Sequence, residues 1–272
     1  MSEQPIATLE RTRQIVADYG LSARKSLGQN FLVDPQTAQR IAAQTDPALP
    51  VIEIGPGIGA LTEPLLKRCP RVLAYEVDGS LIPVLEDLFA GEDRFILRRQ
   101  DFRKADEAEW EGTAWNLVSD LPYYLTSDLM MKIVSASRHF RVIVVMLQKE
   151  AAAHLVDPAS PKDRGPLGIL TWYYCAVQTV AKVPRQCFWP QPQVDSVVLK
   201  LTPRPYPQTV GDDRRFQQFV RDSFRLRRKQ LTANLAAWGL DEAVLKENGY
   251  DPRIRAEQLS VDDFIRLYEA VE

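Results

Sequence analysis

The chain has 272 residues, 45% apolar and 26% charged, with a net charge of −2. That length can bury one large core, or a core plus a small satellite domain, and the charge gives no global pull toward nucleic acid, so an RNA-binding surface would have to be local. No apolar run approaches the ~18 residues of a membrane span, and the mixed-charge start "MSEQPIATLERTRQIV" lacks the apolar core of a signal peptide.

Three cysteines, Cys69, Cys175 and Cys187, show no CxxC spacing. They read as small buried hydrophobes in a reducing compartment, so a cytoplasmic protein without a membrane partner is expected. The two histidines, His139 and His154, form no HExxH and no Cys/His cluster, and no G-x-S-x-G occurs. A metal site and a Ser-His-Asp triad are therefore not expected.

In chain order, residues 6–19 and 35–46 read as helices flanking the loop "ARKSLGQNFLVD", with Asp34 and Pro35 forming a cap and first helical position. Apolar strand-like runs follow at 51–54, 71–77, 94–99, 115–119 and 141–147, separated by helix-length segments at 60–68, 79–89, 126–137 and 149–157. Strands apolar on both faces that alternate with helices predict a doubly wound, mostly parallel α/β sheet. After "GPLGILTWYYC", a further helix, come runs at 176–183 and 194–202 joined by "FWPQPQ", which predict an antiparallel hairpin closing the sheet. "TPRPYPQTVGDD" (202–213) carries three prolines within six residues and marks a boundary. It divides the chain into residues 1–203, the sheet domain with an N-terminal helical extension, and 204–272, a small all-helical domain. In the latter Phe216, Val220 and Phe224 recur at helical spacing, and further helices are expected near 229–238, 241–248 and 260–270.

"EIGPGIGALT" (53–62) follows the first sheet strand and opens a helix. Gly55, Gly57 and Gly59 let the backbone turn tightly and approach a ligand at the helix N-terminus. Glu76 ends the second strand, where an acid accepts hydrogen bonds from ribose hydroxyls, and Asp101 follows the third, placed for an adenine. This describes an adenosyl pocket that either NAD or S-adenosylmethionine could fill.

The fourth strand separates the two. It ends in "SDLPYYLTS" (119–127). An exocyclic amine on a nucleobase is a poor nucleophile because its lone pair is delocalised into the ring. Two acceptors on its N–H groups, a side-chain oxygen at Asp120 and the carbonyl of Leu121, can turn that lone pair toward a sulfonium methyl. Pro122 fixes the backbone that aims the carbonyl, and Tyr123 offers a stacking face for an extruded base. A dehydrogenase has no use for this arrangement.

With "KSLGQNFL", "EIGPGIGALT", "EVD" (76–78), "QD" (100–101), "DLPYYLTS", "MLQKEA", "FWPQPQVDSVVLKL", "SFRLRRKQLTANL" and "RAEQLS", the chain from about residue 20 to its end resembles the ribosomal RNA adenine dimethyltransferases of the KsgA type. The resemblance implies S-adenosylmethionine-dependent dimethylation of adenine N6 in 16S RNA of the small ribosomal subunit, by a monomer. It also implies that Asn30 and Leu32 touch the methionine end of the cofactor, that Gly55 and Gly57 form its floor, and that Glu76 holds the ribose and Asp101 the adenine. Phe188, in the F-x-P-x-P-x-V-x-S block, would sandwich the target base against Tyr123. The family usually reads Asn-Leu-Pro-Tyr where this chain has Asp120, which remains a good acceptor at the methyl-donor and target-amine boundary. "DRGPLGIL" (163–170) stands where the family has Tyr-Gly-x-Leu-Ser. The rivals are a large-subunit adenine dimethyltransferase of the macrolide-resistance type and a weakly active ribosome-assembly factor.

"RDSFRLRRK" (221–229) holds five basic residues against one acid. At helical spacing Arg221, Arg225 and Arg228 would share an outward stripe, and Arg227 and Lys229 extend the match to the family's basic block, so phosphate contacts are expected here. "ARK" (23–25) is a second candidate.

Overall fold

In the computed structural model, which describes residues 4–21, 30–121, 126–156 and 164–272, the apolar runs become strands and the segments between them helices. The elements are α1 (Leu9–Asp18), β1 (Phe31–Leu32), α2 (Pro35–Ala42), β2 (Val51–Ile54), α3 (Thr62–Arg68), β3 (Val72–Glu76), α4 (Ile82–Leu88), β4 (Phe95–Arg99), β5 (Trp115–Asp120), α5 (Thr126–Ser135), β6 (Phe140–Gln148), α6 (Lys149–Val156), α7 (Pro166–Tyr174), β7 (Cys175–Val183), β8 (Phe188–Trp189), β9 (Ser196–Pro203), α8 (Asp213–Ser223), α9 (Leu231–Leu235), α10 (Glu242–Glu247) and α11 (Val261–Val271). Among the described residues no helix is long and apolar enough to cross a membrane.

Seven strands form one sheet in the order β4-β3-β2-β5-β6-β9-β7. β2 pairs in parallel with β3 and β5, β3 with β4, and β5 with β6, whereas β9 runs antiparallel to β6. β2 and β3 are buried along their whole length, as strands covered on both faces by crossover helices must be. The chain proceeds outward from β2 to β4, then returns to place β5 on the other side of β2. The strand order therefore reverses between β2 and β5, and a crevice opens there at their carboxyl ends. A pairing the sequence did not signal, two residues long, joins β1 antiparallel to β8, with Leu32 opposite Phe188 and Phe31 opposite Trp189.

Two compact units result, residues 1–152 with 178–203, and residues 153–177 with 204–272. The second unit thus takes in α7, which the sequence boundary at 203/204 leaves with the sheet. The physical reason is aromatic: Tyr173 on α7 lies 4.9 Å from Phe216 on α8 and 5.3 Å from Tyr206, ring centroid to centroid. Phe216 and Phe219 of α8 pack in turn on Tyr268 of α11 at 5.4 and 5.5 Å.

The start of α2 at Pro35 agrees with the sequence reading, and caps set both it and the start of α8. Asp34 and Asp212 cap α2 and α8 through their side chains. At its far end α8 stops at Ser223, so Arg225 and Arg228 do not continue a helical stripe with Arg221. They lie in a turn, residues 224–229, whose cause is described below.

Candidate active site

One cavity lies at the strand-order reversal, lined from β1 by Phe31 and Leu32 with Asn30 before them, and from the β2 end by Glu53, Ile54 and the glycine loop. β3 and its exit contribute Tyr75, Glu76, Val77 and Asp78, the β4 exit Gln100, Asp101 and Phe102, β5 Asp120 with Leu121, and β8 Phe188. Residues from separate quotations of the sequence, Asn30, Leu32, Gly55, Gly57, Glu76, Asp101, Asp120, Leu121 and Phe188, therefore border the same space. Pro122 and Tyr123 lie outside the described residues, as does the segment 23–25. The basic residues Arg221, Arg225, Arg227, Arg228 and Lys229 belong to the second unit and do not line this cavity.

The glycine loop is shaped by positive φ at Gly55 (+68°) and Gly57 (+60°), a conformation that side chains disfavour. A Cβ at Gly55 would meet nothing within 4 Å, and one at Gly57 would meet only the Phe31 ring at 3.6 Å. The bare backbone leaves a cradle open toward the cavity. The loop is tied to β3 through Glu76: one carboxylate oxygen accepts from the N–H groups of Val77 and Asp78, both at 2.8 Å, and the Gly57 N–H also bears on the carboxylate. A carboxylate offers about four lone-pair sites, so Glu76 keeps capacity for a ligand hydroxyl after these three contacts. Burial, only partly offset by these N–H groups, still raises its pKa.

Asp101 is held differently. It caps the short turn Phe102–Lys104, accepting from the Arg103 N–H at 2.9 Å, and the Arg103 guanidinium reaches it at 2.6 Å. That cation holds the carboxyl below its ordinary value. Phe102, next in line, is propped from behind by the fully buried Trp110, with ring centroids 5.2 Å apart and nearly parallel. The Trp110 indole donates to the Tyr75 hydroxyl at 3.1 Å.

Glu53 and Asp120 are two further acids that line the cavity. Glu53 sits inside β2, one carboxylate oxygen accepting the Thr62 hydroxyl at 2.7 Å, while Oε1 is buried with no hydrogen-bond partner among the described residues. Burial pushes its pKa up to about 8, the Thr62 hydroxyl opposes this, and Glu76 adds to it. Asp120 ends β5 opposite Met146 of β6. The next N–H, that of Leu121, donates to the Met146 carbonyl at 3.1 Å, which anchors the backbone of the Asp-Leu step. Burial alone pushes the Asp120 carboxyl up to about 8.

Among its described lining residues the cavity has five carboxyls, Glu53, Glu76, Asp78, Asp101 and Asp120, and no Lys, Arg or His. Such a site prefers a ligand that brings positive charge. An open glycine cradle, an orphan acceptor on Glu53, an acid at the end of β3 and an apolar wall formed by Phe31, Leu32 and Phe188 fit S-adenosylmethionine, whose sulfonium and amino groups are cationic. The phosphates of NAD would meet carboxylates instead. Sequence reasoning singled out neither Glu53 nor the Tyr75–Phe102–Trp110 support. Glu53 had a signal, a lone acid in a strand apolar on both faces, whereas Trp110 reaches the site only through tertiary packing.

Residues 20–272 match the model of the family described as Ribosomal RNA adenine dimethylase. Proteins described as Ribosomal RNA small subunit methyltransferase A from Bacillus cytotoxicus and Geobacillus kaustophilus are each 42% identical to this chain over 98% of it and 97% of their own length. Among solved structures, the 23S rRNA methyltransferase ErmE is 29% identical, covering 89% of this chain and 99% of its own, with a TM-score of 0.65. A dimethyladenosine transferase from Plasmodium falciparum is 25% identical, covering 86% and 94%, with a TM-score of 0.67.

Proposed function

The chain belongs to the ribosomal RNA adenine dimethylase family, and we propose that it dimethylates adenine N6 in 16S RNA of the small ribosomal subunit, working as a cytoplasmic monomer. S-adenosylmethionine is the methyl donor and supplies an electrophilic methyl group on a sulfonium. The single observation that carries the reading is the acid-lined cavity at the strand reversal, with no Lys, Arg or His among its described lining residues, bordered by the amine-aligning Asp120–Leu121 step. Identity of 42% along nearly the whole chain to proteins named for the small subunit supports that substrate over large-subunit RNA.

In this reading Glu76 receives ribose hydroxyls, Asp101 and the Phe102 edge receive the adenine, and the Gly55–Gly57 backbone passes beneath, with Asn30 and Leu32 at the methionine end. The Asp120 side chain and the Leu121 carbonyl accept the N–H groups of the target amine and hold its lone pair on the line of attack, worth on the order of 10²–10³ in rate when one such group is removed. Phe188, with Tyr123, flanks the base. The helical unit supplies backbone-phosphate contacts through Arg221, Arg225, Arg227, Arg228 and Lys229.

The test is labelled methyl transfer to undermethylated small subunits, followed by nucleoside analysis. N6,N6-dimethyladenosine in 16S RNA is the expected product. Transfer to free large-subunit RNA with none to small subunits would reassign the substrate, and subunit binding without turnover would make the protein an assembly factor.

A further inference from the structure

The basic block of residues 221–229 divides: Arg221 lies in the last turn of α8, whereas Arg225, Arg227, Arg228 and Lys229 stand on the turn that follows, whose backbone a single buried amide clamps. Asn234 on α9 is 7% exposed. Its Oδ1 accepts from the Leu226 N–H at 2.9 Å, while its Nδ2 donates to the Ser223 carbonyl at 2.8 Å and to the Leu226 carbonyl at 3.4 Å. The Ser223 carbonyl belongs to the last turn of α8, where carbonyls lack intrahelical partners. The amide therefore ends the helix and clamps the backbone that follows it. The Phe224 N–H closes onto Arg221 and the Lys229 N–H onto Leu226, at 3.2 and 2.8 Å.

The result is a run, Arg225 to Gln230, exposed at every position. Leu226 is itself 45% exposed between two arginines. Asp222, the one acid in the stretch, is occupied elsewhere: it accepts from the Trp238 indole at 3.0 Å and from Gln218 at 2.9 Å. No ion pair among the described residues engages Arg225, Arg227, Arg228 or Lys229. A shaped backbone, cations left unneutralised and a nearby acid tied back are what a preorganised phosphate-binding turn requires, because ordering a flexible loop at the moment of binding would weaken it.

We propose that Asn234 is a positioning residue for RNA recognition, its buried amide holding the 224–229 turn so that its basic side chains meet the RNA backbone together. The proposal rests on the reading of this turn as an RNA surface. Asn234 touches no RNA and acts only through the backbone of the turn.

The experiment measures methyl transfer to undermethylated small subunits as a function of subunit and salt concentration, with thermal melting and S-adenosylhomocysteine calorimetry on the same proteins. Four proteins are compared: wild type, Asn234→Ala, the triple variant Arg227→Ala/Arg228→Ala/Lys229→Ala, and Leu245→Ala. Leu245, fully buried on α10, controls for loss of stability in the same unit. The triple variant should flatten the log–log salt slope by roughly two to three units. Asn234→Ala should raise KM for subunits roughly tenfold with kcat little changed, flatten the slope by about one unit or more, and add little in the triple background. Leu245→Ala, assayed below its melting temperature, should lower the melting temperature and leave KM and slope alone. A flattened slope in the triple variant with wild-type KM and slope in Asn234→Ala overturns the positioning role and keeps the RNA surface. An unchanged slope in the triple variant overturns both. Asn234→Ala behaving like Leu245→Ala reduces the amide to a stability role and overturns the proposal.

Discussion

The cavity and the basic turn treat charge in opposite ways. In the cavity Glu53 and Glu76 are buried and held by a hydroxyl and by backbone N–H groups, Asp101 is part-exposed and bridged by Arg103, and burial raises the pKa of Glu53, Glu76 and Asp120. At the turn the cations are exposed and make no ion pair among the described residues. Burial makes charge in the cavity costly until a cationic ligand arrives, so selectivity there is chemical. Exposure makes charge at the turn inexpensive and salt-sensitive, so attraction there is generic and depends on arrangement.

The largest effect that separates the two regions is expected at Asp120. Asp120→Ala should lower single-turnover methylation of small subunits by on the order of 10²–10³ at saturating cofactor. S-adenosylhomocysteine affinity and salt slope should stay near wild type, and Asp120→Asn should retain dimethylation. Wild-type rates in Asp120→Ala would leave the residue as a strand end only.

Next is Glu76, the proposed ribose acceptor, whose carboxylate also meets the Gly57 N–H of the glycine loop. Glu76→Ala should weaken S-adenosylhomocysteine binding by ~2 kcal/mol, about thirtyfold, measured by calorimetry. Small-subunit affinity should not move, and a parallel loss of both would merge what the comparison keeps apart.

A smaller effect, several-fold, is expected from pH. Glu53 and Asp120 have folded-state pKa values of about 8, above their ordinary values. Protonated, they favour the fold: that contribution is complete below the ordinary carboxyl range near 4 and is lost as pH rises through about 8. The cofactor-free protein should therefore melt lower at pH 8 than at pH 5, by on the order of 5 °C, and Glu53→Gln/Asp120→Asn should flatten the change. Over the same window ionisation should favour the sulfonium, raising the affinity ratio of S-adenosylmethionine to S-adenosylhomocysteine by about fivefold, ~1 kcal/mol. A ratio constant from pH 6 to 9 would sink the charge argument for the cavity.

The smallest effect is expected at Arg103, a cation that binds the cavity carboxyl of Asp101. Its bridge to Asp101 is partly exposed, a type worth ~0–1 kcal/mol. Arg103→Ala should change melting by no more than a degree or two and cofactor affinity by less than about threefold. A tenfold gain would mean that Arg103 competes with the adenine for Asp101.

Much of this was legible in the chain. The runs at 51–54, 71–77, 94–99, 115–119 and 141–147 lie within a residue of β2 to β6, because the central strands, buried on both faces, must be apolar, while edge strand β4 shows the same apolar start and an exposed end. Asp34 followed by Pro35 marked the start of α2, since a cap acts within three residues. Glu76, Asp101 and Asp120 could be named because each stands at a strand exit, and the ends of parallel strands come together in any doubly wound sheet, whereas Asn30, Leu32 and Phe188 were named through the family resemblance alone.

What the sequence determined by itself was local or periodic: the alternation of strands and helices, the glycine turn, the acids at the strand exits, and the presence of a basic block. Only tertiary structure decided where α7 packs, which acids lose their water, and what shape the basic block takes. The Tyr173–Phe216 contact, the orphan oxygen of Glu53 and the Asn234 amide beneath the 224–229 turn each join segments whose partnership leaves no periodic trace in the chain. Desolvation and side-chain-to-backbone hydrogen bonding depend on what is brought near, and nearness across a fold is set by packing, not by spacing along the sequence.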